Sequence, residues 1–246
     1  MQGSEGQVQK YQDGSLFGGL SFVVTAAHEL KAPLALMRQL SLALEAENVS
    51  PEDQKRMLRQ IVLTSERALR LTTDLSKSSR LEDSLFDLEP LNPHQICEEV
   101  AHELTPLYAA KGREIRVASR HRPHLVVANR DLLRRIMLSF GDNALHYAES
   151  DIPVELRALS YDHGSKIRLA VRDFGPAVPI DIWKKLESHL GTATQTLHSR
   201  PGSSGLGLYV AGQFATAMHG QIGATRHRDG ATFYVDLTAS TQLSLL

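Results

Sequence analysis

The chain has 246 residues, 42% hydrophobic and 22% charged, with a formal net charge of −1. That length suits one large domain or two modest ones, and the charge balance offers no basic excess for nucleic acid and no acidic tail. One cysteine, Cys97, excludes an intrachain disulfide framework and fits a reducing compartment, and the histidines lack the spacing of a Cys/His metal site.

The first apolar run, Leu16 to Ala27, is broken by Gly18, Gly19, Ser21 and Thr25 and has no signal-peptide flanks, so no transmembrane helix is expected. From about Gly19 to Asn48 the spacing predicts a helix, with Val23, Ala27, Leu30, Leu34, Met37 and Leu44 on one stripe. His28 falls beside that stripe, with Glu29 next to it, and Pro33 should loosen or bend the helix one turn on. Ser50-Pro51-Glu52-Asp53 then reads as an N-cap, a proline at the first helical position and an acidic first turn.

A second helix is expected to run to about Arg80. Its stripe (Met57, Ile61, Thr64, Ala68, Leu71, Leu75, Ser78) alternates steps of four and three, and Leu58, Val62 and Leu69 form a second apolar edge. Two long helices and a short turn make an antiparallel hairpin, and two hairpins packed as a four-helix bundle would bury both edges. A hairpin lying on the rest of its own chain is the other arrangement.

The period changes between Leu81 and Pro93, where Leu85, Phe86, Leu88, Pro90 and Pro93 suggest a linker and a short edge strand, with a domain boundary near residue 84. A helix carrying Ile96, Val100, Leu104 and Leu107 follows, then extended segments at 114–119 and 124–128. Asn129 caps a helix to Tyr147 whose stripe is Leu133, Met137, Phe140 and Ala144, with Asn143 and Tyr147 sharing its edge at i and i+4. Two alternating strands come next (Val154, Leu156, Ala158, then Ile167, Leu169, Val171), joined at Asp162-His163-Gly164. A poorly periodic region, 177–204, holds a short helical piece (180–190) and has the length of a functional lid. Ser204-Gly205-Leu206-Gly207-Leu208 opens a helix to about His219, and a strand at 231–237 closes an α+β two-layer sandwich.

Four stretches in this order carry a resemblance. AHELKAPL (27–34) resembles the phosphoacceptor box of bacterial sensor histidine kinases, matching it at His28, Glu29, Leu30, Pro33 and Leu34. DNALHYA (142–148), DFGPAV (173–178) and SSGLGLYVA (203–211) resemble the family's asparagine box and its two glycine boxes. The resemblance covers about 22–237. It implies a phosphoacceptor hairpin (17–83) that dimerises as a four-helix bundle, followed by a Bergerat-type ATP-binding domain (84–240). His28 would attack the γ-phosphoryl group of ATP, with Glu29 as base or orienter. Phosphate would then pass to an aspartate of a separate response-regulator receiver. A cytoplasmic location, with any membrane link through segments absent from this chain, follows from the same resemblance.

The residue types suit those roles. Asn143 offers a neutral oxygen to Mg²⁺, and the resemblance implies that it holds the ion at the phosphates; Tyr147 would lie against adenine, and His146, where the family usually has Lys, would donate to a phosphate. Asp173 can accept from the adenine amine, and Gly175 lets the backbone approach the ring. Gly205, Leu206 and Gly207 begin a helix whose free amides favour an anion.

Departures from the family pattern stand at Ser139 (usually asparagine), Ala177 and Ser203 (usually glycines), and Ala177 needs φ < 0 or strain. They give sequence support to a second reading, a pseudokinase scaffold that binds ATP weakly. A third is a gyrase-like ATPase without phosphoacceptor chemistry. Ala32, one turn after His28, stands where the family usually has Thr or Asn; alanine cannot hold a water there, which implies little phosphatase activity toward the regulator.

Overall fold

A computed structural model describes residues 26–27, 29–45, 49–78, 86–118, 123–147, 151–190 and 206–241. Residues 26–27 and 29–44 are helical (α1), and Pro33 lies inside that helix without ending it. Helix α2 (Pro51–Ser78) starts as its sequence dictates. The Ser50 hydroxyl oxygen accepts from the Asp53 N–H at 3.1 Å and donates to the Asp53 carboxylate at 2.8 Å.

Along α2 the apolar positions divide. Ala68 is its one buried residue, while Leu71 and Leu75 are half-buried against the core of the following domain. Leu58, Val62 and Leu69 are exposed. The C-terminal half of the helix therefore lies on its own chain, as the second of the two expected arrangements had it, and the other edge stays open to solvent.

The domain after the hairpin runs β1 (Glu89–Leu91), α3 (Pro93–Ala110), β2 (Ile115–Val117), β3 (Val126–Ala128), α4 (Arg130–Tyr147), β4 (Val154–Tyr161), β5 (Lys166–Arg172), α5 (Ile180–His189), α6 (Leu206–Ala217), β6 (Gln221–His227) and β7 (Gly230–Thr238). The main sheet has the order β2-β4-β5-β7-β6, with β2 parallel to β4 and the other pairs antiparallel. β1 pairs antiparallel with β3 beside it, and Pro90 is tolerated there because the strand is an edge. Helices α3, α4 and α6 cover one face of the sheet. This is the α+β two-layer sandwich that the alternation implied.

The core lies between those layers. Val154, Leu156 and Ala158 on β4, Ile167, Leu169 and Val171 on β5, and Phe233, Val235 and Leu237 on β7 all point inward and are buried. They meet Ile96, Leu104 and Tyr108 from α3, Leu133, Met137 and Phe140 from α4, and Phe214 from α6. Burying each large apolar side chain contributes ~1.5–3 kcal/mol. Cys97 is also fully buried, and desolvation pushes its thiol up to about 12, so it is inert.

The opposite face of the sheet is polar and tightly paired. Arg168 on β5 donates two hydrogen bonds, at 2.7 and 2.8 Å, to its register partner Asp236 on β7. Its guanidinium lies 3.5 Å from the Tyr234 ring centroid and 5.0 Å from that of Tyr161. Tyr234 in turn lies over Gly223 on β6, where any Cβ would overlap the tyrosine ring. β6 is the strand that the sequence pattern misses, because its inner-face positions read Ile222, Ala224 and Arg226 and so carry only two apolar residues.

Candidate active site

Helix α4 is anchored before it is functional. The Asn129 carboxamide oxygen accepts from the Leu132 N–H at 3.1 Å, capping the first turn as expected. Further along, α3 and α4 approach so closely at Gly141 that a Cβ there would overlap Leu104. The Tyr108 hydroxyl donates to the Gly141 carbonyl at 2.8 Å, pinning the last turns of the helix. Asn143 follows two residues on, half-buried. His146 and Tyr147 occupy the final turn of α4, and their side chains lie outside the described residues.

Asp173 stands immediately beyond β5 and is only 2% exposed. Its N–H donates to the Ala231 carbonyl at 3.0 Å, and its Oδ1 accepts from the Gly175 N–H at 3.2 Å, so backbone and carboxylate are both held. Gly175 is buried. Ala177 is not among the positive-φ residues, so the missing glycine at this position costs no backbone strain. Just beyond it, the Arg226 Nε donates to the Val178 carbonyl at 2.7 Å and closes the loop onto β6.

The first turn of α6 completes the corner. Leu206 and Leu208 are buried and fix the helix, whereas Gly207 faces α4: a Cβ there would stand 2.8 Å from the Ser139 Oγ. Ser139 is one turn before Asn143, so Gly207 brings the start of α6 against the asparagine segment. Burial pushes the Tyr108 hydroxyl upward, and the negative charges of Asp142 and Asp173 push it the same way. Both carboxylates therefore act on one point. Asn143, Asp173, Gly175, Leu206 and Gly207 lie on segments that meet at one end of the sandwich. His28, Gly205, Ser203 and most of the expected lid (191–204) lie outside the described residues. Glu29 is half-buried on α1, and Ala32 is exposed.

Sequence reasoning missed a seam of charge between the hairpin and this corner. Arg135 on α4 donates to Asp74 on α2 and, at 3.3 Å, to Asp131, which also accepts from Lys77. Arg70 lies 3.6 Å from both Glu103 and Asp142, the residue preceding Asn143. An open groove of about 420 Å³, lined by Glu66, Leu69, Arg70, Thr73, Glu103 and Arg135, follows the seam. Burial raises the Asp74 carboxyl above its ordinary value even though Arg135, Lys77 and Arg70 all pull it down. The pairs join residues 54 and 61 positions apart, which leaves no local pattern to read.

A sandwich with this strand order and these three motif segments at one end falls into a broad class of ATPases. The family described as histidine kinase-, DNA gyrase B-, and HSP90-like ATPase matches residues 128–241. Upstream, the His Kinase A (phospho-acceptor) domain matches residues 20–84. With both modules in that order, the chain belongs to the sensor histidine kinases.

Hybrid signal transduction histidine kinase K of Dictyostelium discoideum is 26% identical over 228 residues, covering 87% of this chain and 19% of that protein. The sensor protein CutS of Streptomyces coelicolor is 27% identical over 210 residues, covering 85% of this chain and 50% of that one. The chain thus spans half or less of these curated relatives. Among solved structures, full-length ShkA in complex with AMPPNP aligns with a TM-score of 0.60 and 23% identity over 92% of this chain and 47% of that one. Histidine kinase ThkA in complex with the response regulator TrrA aligns with a TM-score of 0.61 and 16% identity over 96% of this chain and 66% of that one. These likenesses concern the fold. None of the described helices is long and apolar enough to cross a membrane.

Proposed function

We propose that the chain autophosphorylates on His28 with Mg-ATP and passes the phosphoryl group to an aspartate of a separate response regulator. The observation that carries this is the phosphoacceptor domain match directly upstream of the ATPase match. Two folded units are assigned accordingly, 17–83 and 84–240; the packing of β1 and α3 into the sandwich core supports a boundary near 84.

In this reading ATP lies at the corner described above. The buried Asp173 carboxylate accepts from the adenine amine, and Gly175 leaves room for the ring. The start of α6, with Leu206 and Gly207, faces the phosphates, its amides and helix dipole favouring negative charge, and Gly205 is assigned to the same role by its motif. Tyr147 covers the base and His146 donates to phosphate. The Asn143 oxygen fits Mg²⁺, which takes hard oxygen ligands and keeps several waters. Asn143 supplies one hard oxygen, and phosphates and water the rest. Bound there, Mg²⁺ would supply charge neutralisation at the phosphates; the chain's own part is to position His28 in line and Glu29 beside it. AMPPNP in ShkA and the regulator TrrA on ThkA support the nucleotide and the partner by likeness of fold.

The exposed Leu58, Val62 and Leu69 edge supports a homodimer through the hairpin. Ala32, exposed and without a donor or acceptor, supports weak phosphatase activity toward the regulator. A cytoplasmic location fits these partners.

Incubation with γ-labelled Mg-ATP tests the reading. An acid-labile, base-stable label is expected, absent from His28→Ala with ATP binding retained, and absent from Asn143→Ala and Asp173→Asn through lost binding. Label on His28→Ala refutes the phosphoacceptor. Phosphate release without label favours the gyrase-like reading, and no nucleotide binding favours the pseudokinase.

A further inference from the structure

We propose that Arg172 is a positioning residue for the base-reading carboxylate of Asp173, seated for that task by Asp229 and Gly230; this rests on the reading of Asp173 given above.

Arg172 ends β5 on the polar face of the sheet, opposite Thr232, and is only 8% exposed. A guanidinium so far removed from water demands partners, and the identity of those partners is informative. Nη1 donates to the backbone carbonyl of Asp173 and, at 3.3 Å, to that of Asp229. Nη2 donates to the Asp229 carboxylate at 2.6 Å. The guanidinium also lies 4.4 Å from the Phe174 ring centroid, on the residue following Asp173. The side chain thus grips residues 173 and 174 from one side and the β6–β7 turn from the other.

Gly230 closes the grip. Its φ is +123°, a conformation that L side chains rarely adopt. A Cβ there would stand 2.7 Å from the Asp173 Oδ1 and 2.8 Å from the Arg172 Nη1, and would overlap the Asp173 carbonyl. The Asp173 N–H is tied to Ala231 at the start of β7, and its Oδ1 to the Gly175 N–H. Arg172 and the start of β7 thus fix the backbone from which the Asp173 carboxylate projects, and through it the direction in which the carboxylate points.

Arg168 supplies the control. It lies on the same strand and the same face, and it too makes a guanidinium–carboxylate pair, but with its cross-strand partner Asp236. A role confined to holding the sheet together predicts equal consequences for both arginines. A positioning role predicts that only Arg172 affects recognition of the base. Adenine presents an amine to an aspartate, whereas guanine presents a carbonyl oxygen at that position. A carboxylate free to swing discriminates less between the two.

The test measures binding of Mg-ATP, Mg-GTP and Mg-tripolyphosphate to the full chain and its variants, together with thermal midpoints. In Arg172→Met the ATP-over-GTP preference is expected to fall about tenfold with tripolyphosphate binding unchanged, since only base orientation is lost. Asp229 has a 65% exposed side chain, so Asp229→Ala will fold, and it is expected to lose about threefold of the preference by loosening the arginine. Arg168→Met is expected to lower the midpoint and leave the preference intact. If Arg172→Met does not fold, Asp229→Ala decides. An unchanged preference in the 172 and 229 variants, or an equal loss in Arg168→Met, overturns the proposal while Asp173 keeps its role. A wild type without ATP preference, or Asp173→Asn retaining it, overturns the reading of Asp173 and the proposal with it.

Discussion

Helices α2 and α4 are both long and both amphipathic, but they use their apolar faces differently. On α4, eight apolar residues from Leu132 to Leu145 are buried in the core of its own domain. On α2, which is ten residues longer, only Ala68 is buried, and Leu58, Val62 and Leu69 are 50, 53 and 66% exposed. One helix is determined by its own chain. The other is half-determined: its C-terminal half is tied to α3 and α4 by the charge seam and packs Leu71 and Leu75 on the core, and its remaining edge is open to solvent.

The largest expected effect sets those two helices against each other. Phe140→Ala empties a core site between α4 and β7 and should cost ~3–5 kcal/mol in denaturant unfolding. Leu58→Glu with Val62→Glu should leave the sandwich's unfolding within ~0.5 kcal/mol, since both side chains are exposed. The same double variant should nevertheless sediment as a monomer at micromolar concentration. A dimer that survives it would mean that the open edge of α2 is not the interface.

A smaller effect is expected where α4 touches α3. Gly141→Ala forces a methyl into Leu104 and should destabilise by ~1–3 kcal/mol through overpacking. Because Asn143 lies two residues on, ATP binding should weaken as well, and calorimetry on the folded variant separates the two consequences.

The smallest effect concerns the seam, and its sign runs against intuition. Desolvation outweighs the surrounding cations at Asp74, so its carboxyl titrates above the ordinary carboxylate value in the folded state. A raised folded value contributes stability that is fully present below the unfolded value and lost as pH rises through the folded one. Asp74→Asn should therefore be neutral or slightly stabilising at pH 7, and should flatten the melting profile across the range just above pH 4. A clear loss of stability at pH 7 would show that the pair with Arg135 dominates.

The same contrast explains what could be read in advance. The hairpin, the α+β order and the three nucleotide segments are legible because helix periodicity, caps and short motifs are local. Ser50 and Asn129 act at their helix starts as expected, and Asp173 and Gly175 sit together because two residues cannot do otherwise. β6 was hidden because only Ile222 and Ala224 mark its inner face, and the tyrosine that covers Gly223 comes from the next strand. The direction of Leu71 and Leu75 could not be read at all. Two apolar edges on one helix do not say which belongs to the chain itself. Arg172 and Asp229, 57 residues apart, were equally silent.

The polar face of the sheet has a consequence for how sequences of this kind can diverge. Tyr234 fits flat only because position 223 has no Cβ, and Arg168 is clasped between that ring and Asp236. A side chain at 223 lifts the ring, an absent ring uncovers the arginine, and an absent arginine leaves the buried Asp236 without its guanidinium partner. Each single change passes through a defective intermediate, so drift is blocked one step at a time. Positions 168, 223, 234 and 236, on three adjacent strands, are therefore expected to tolerate replacement together better than singly.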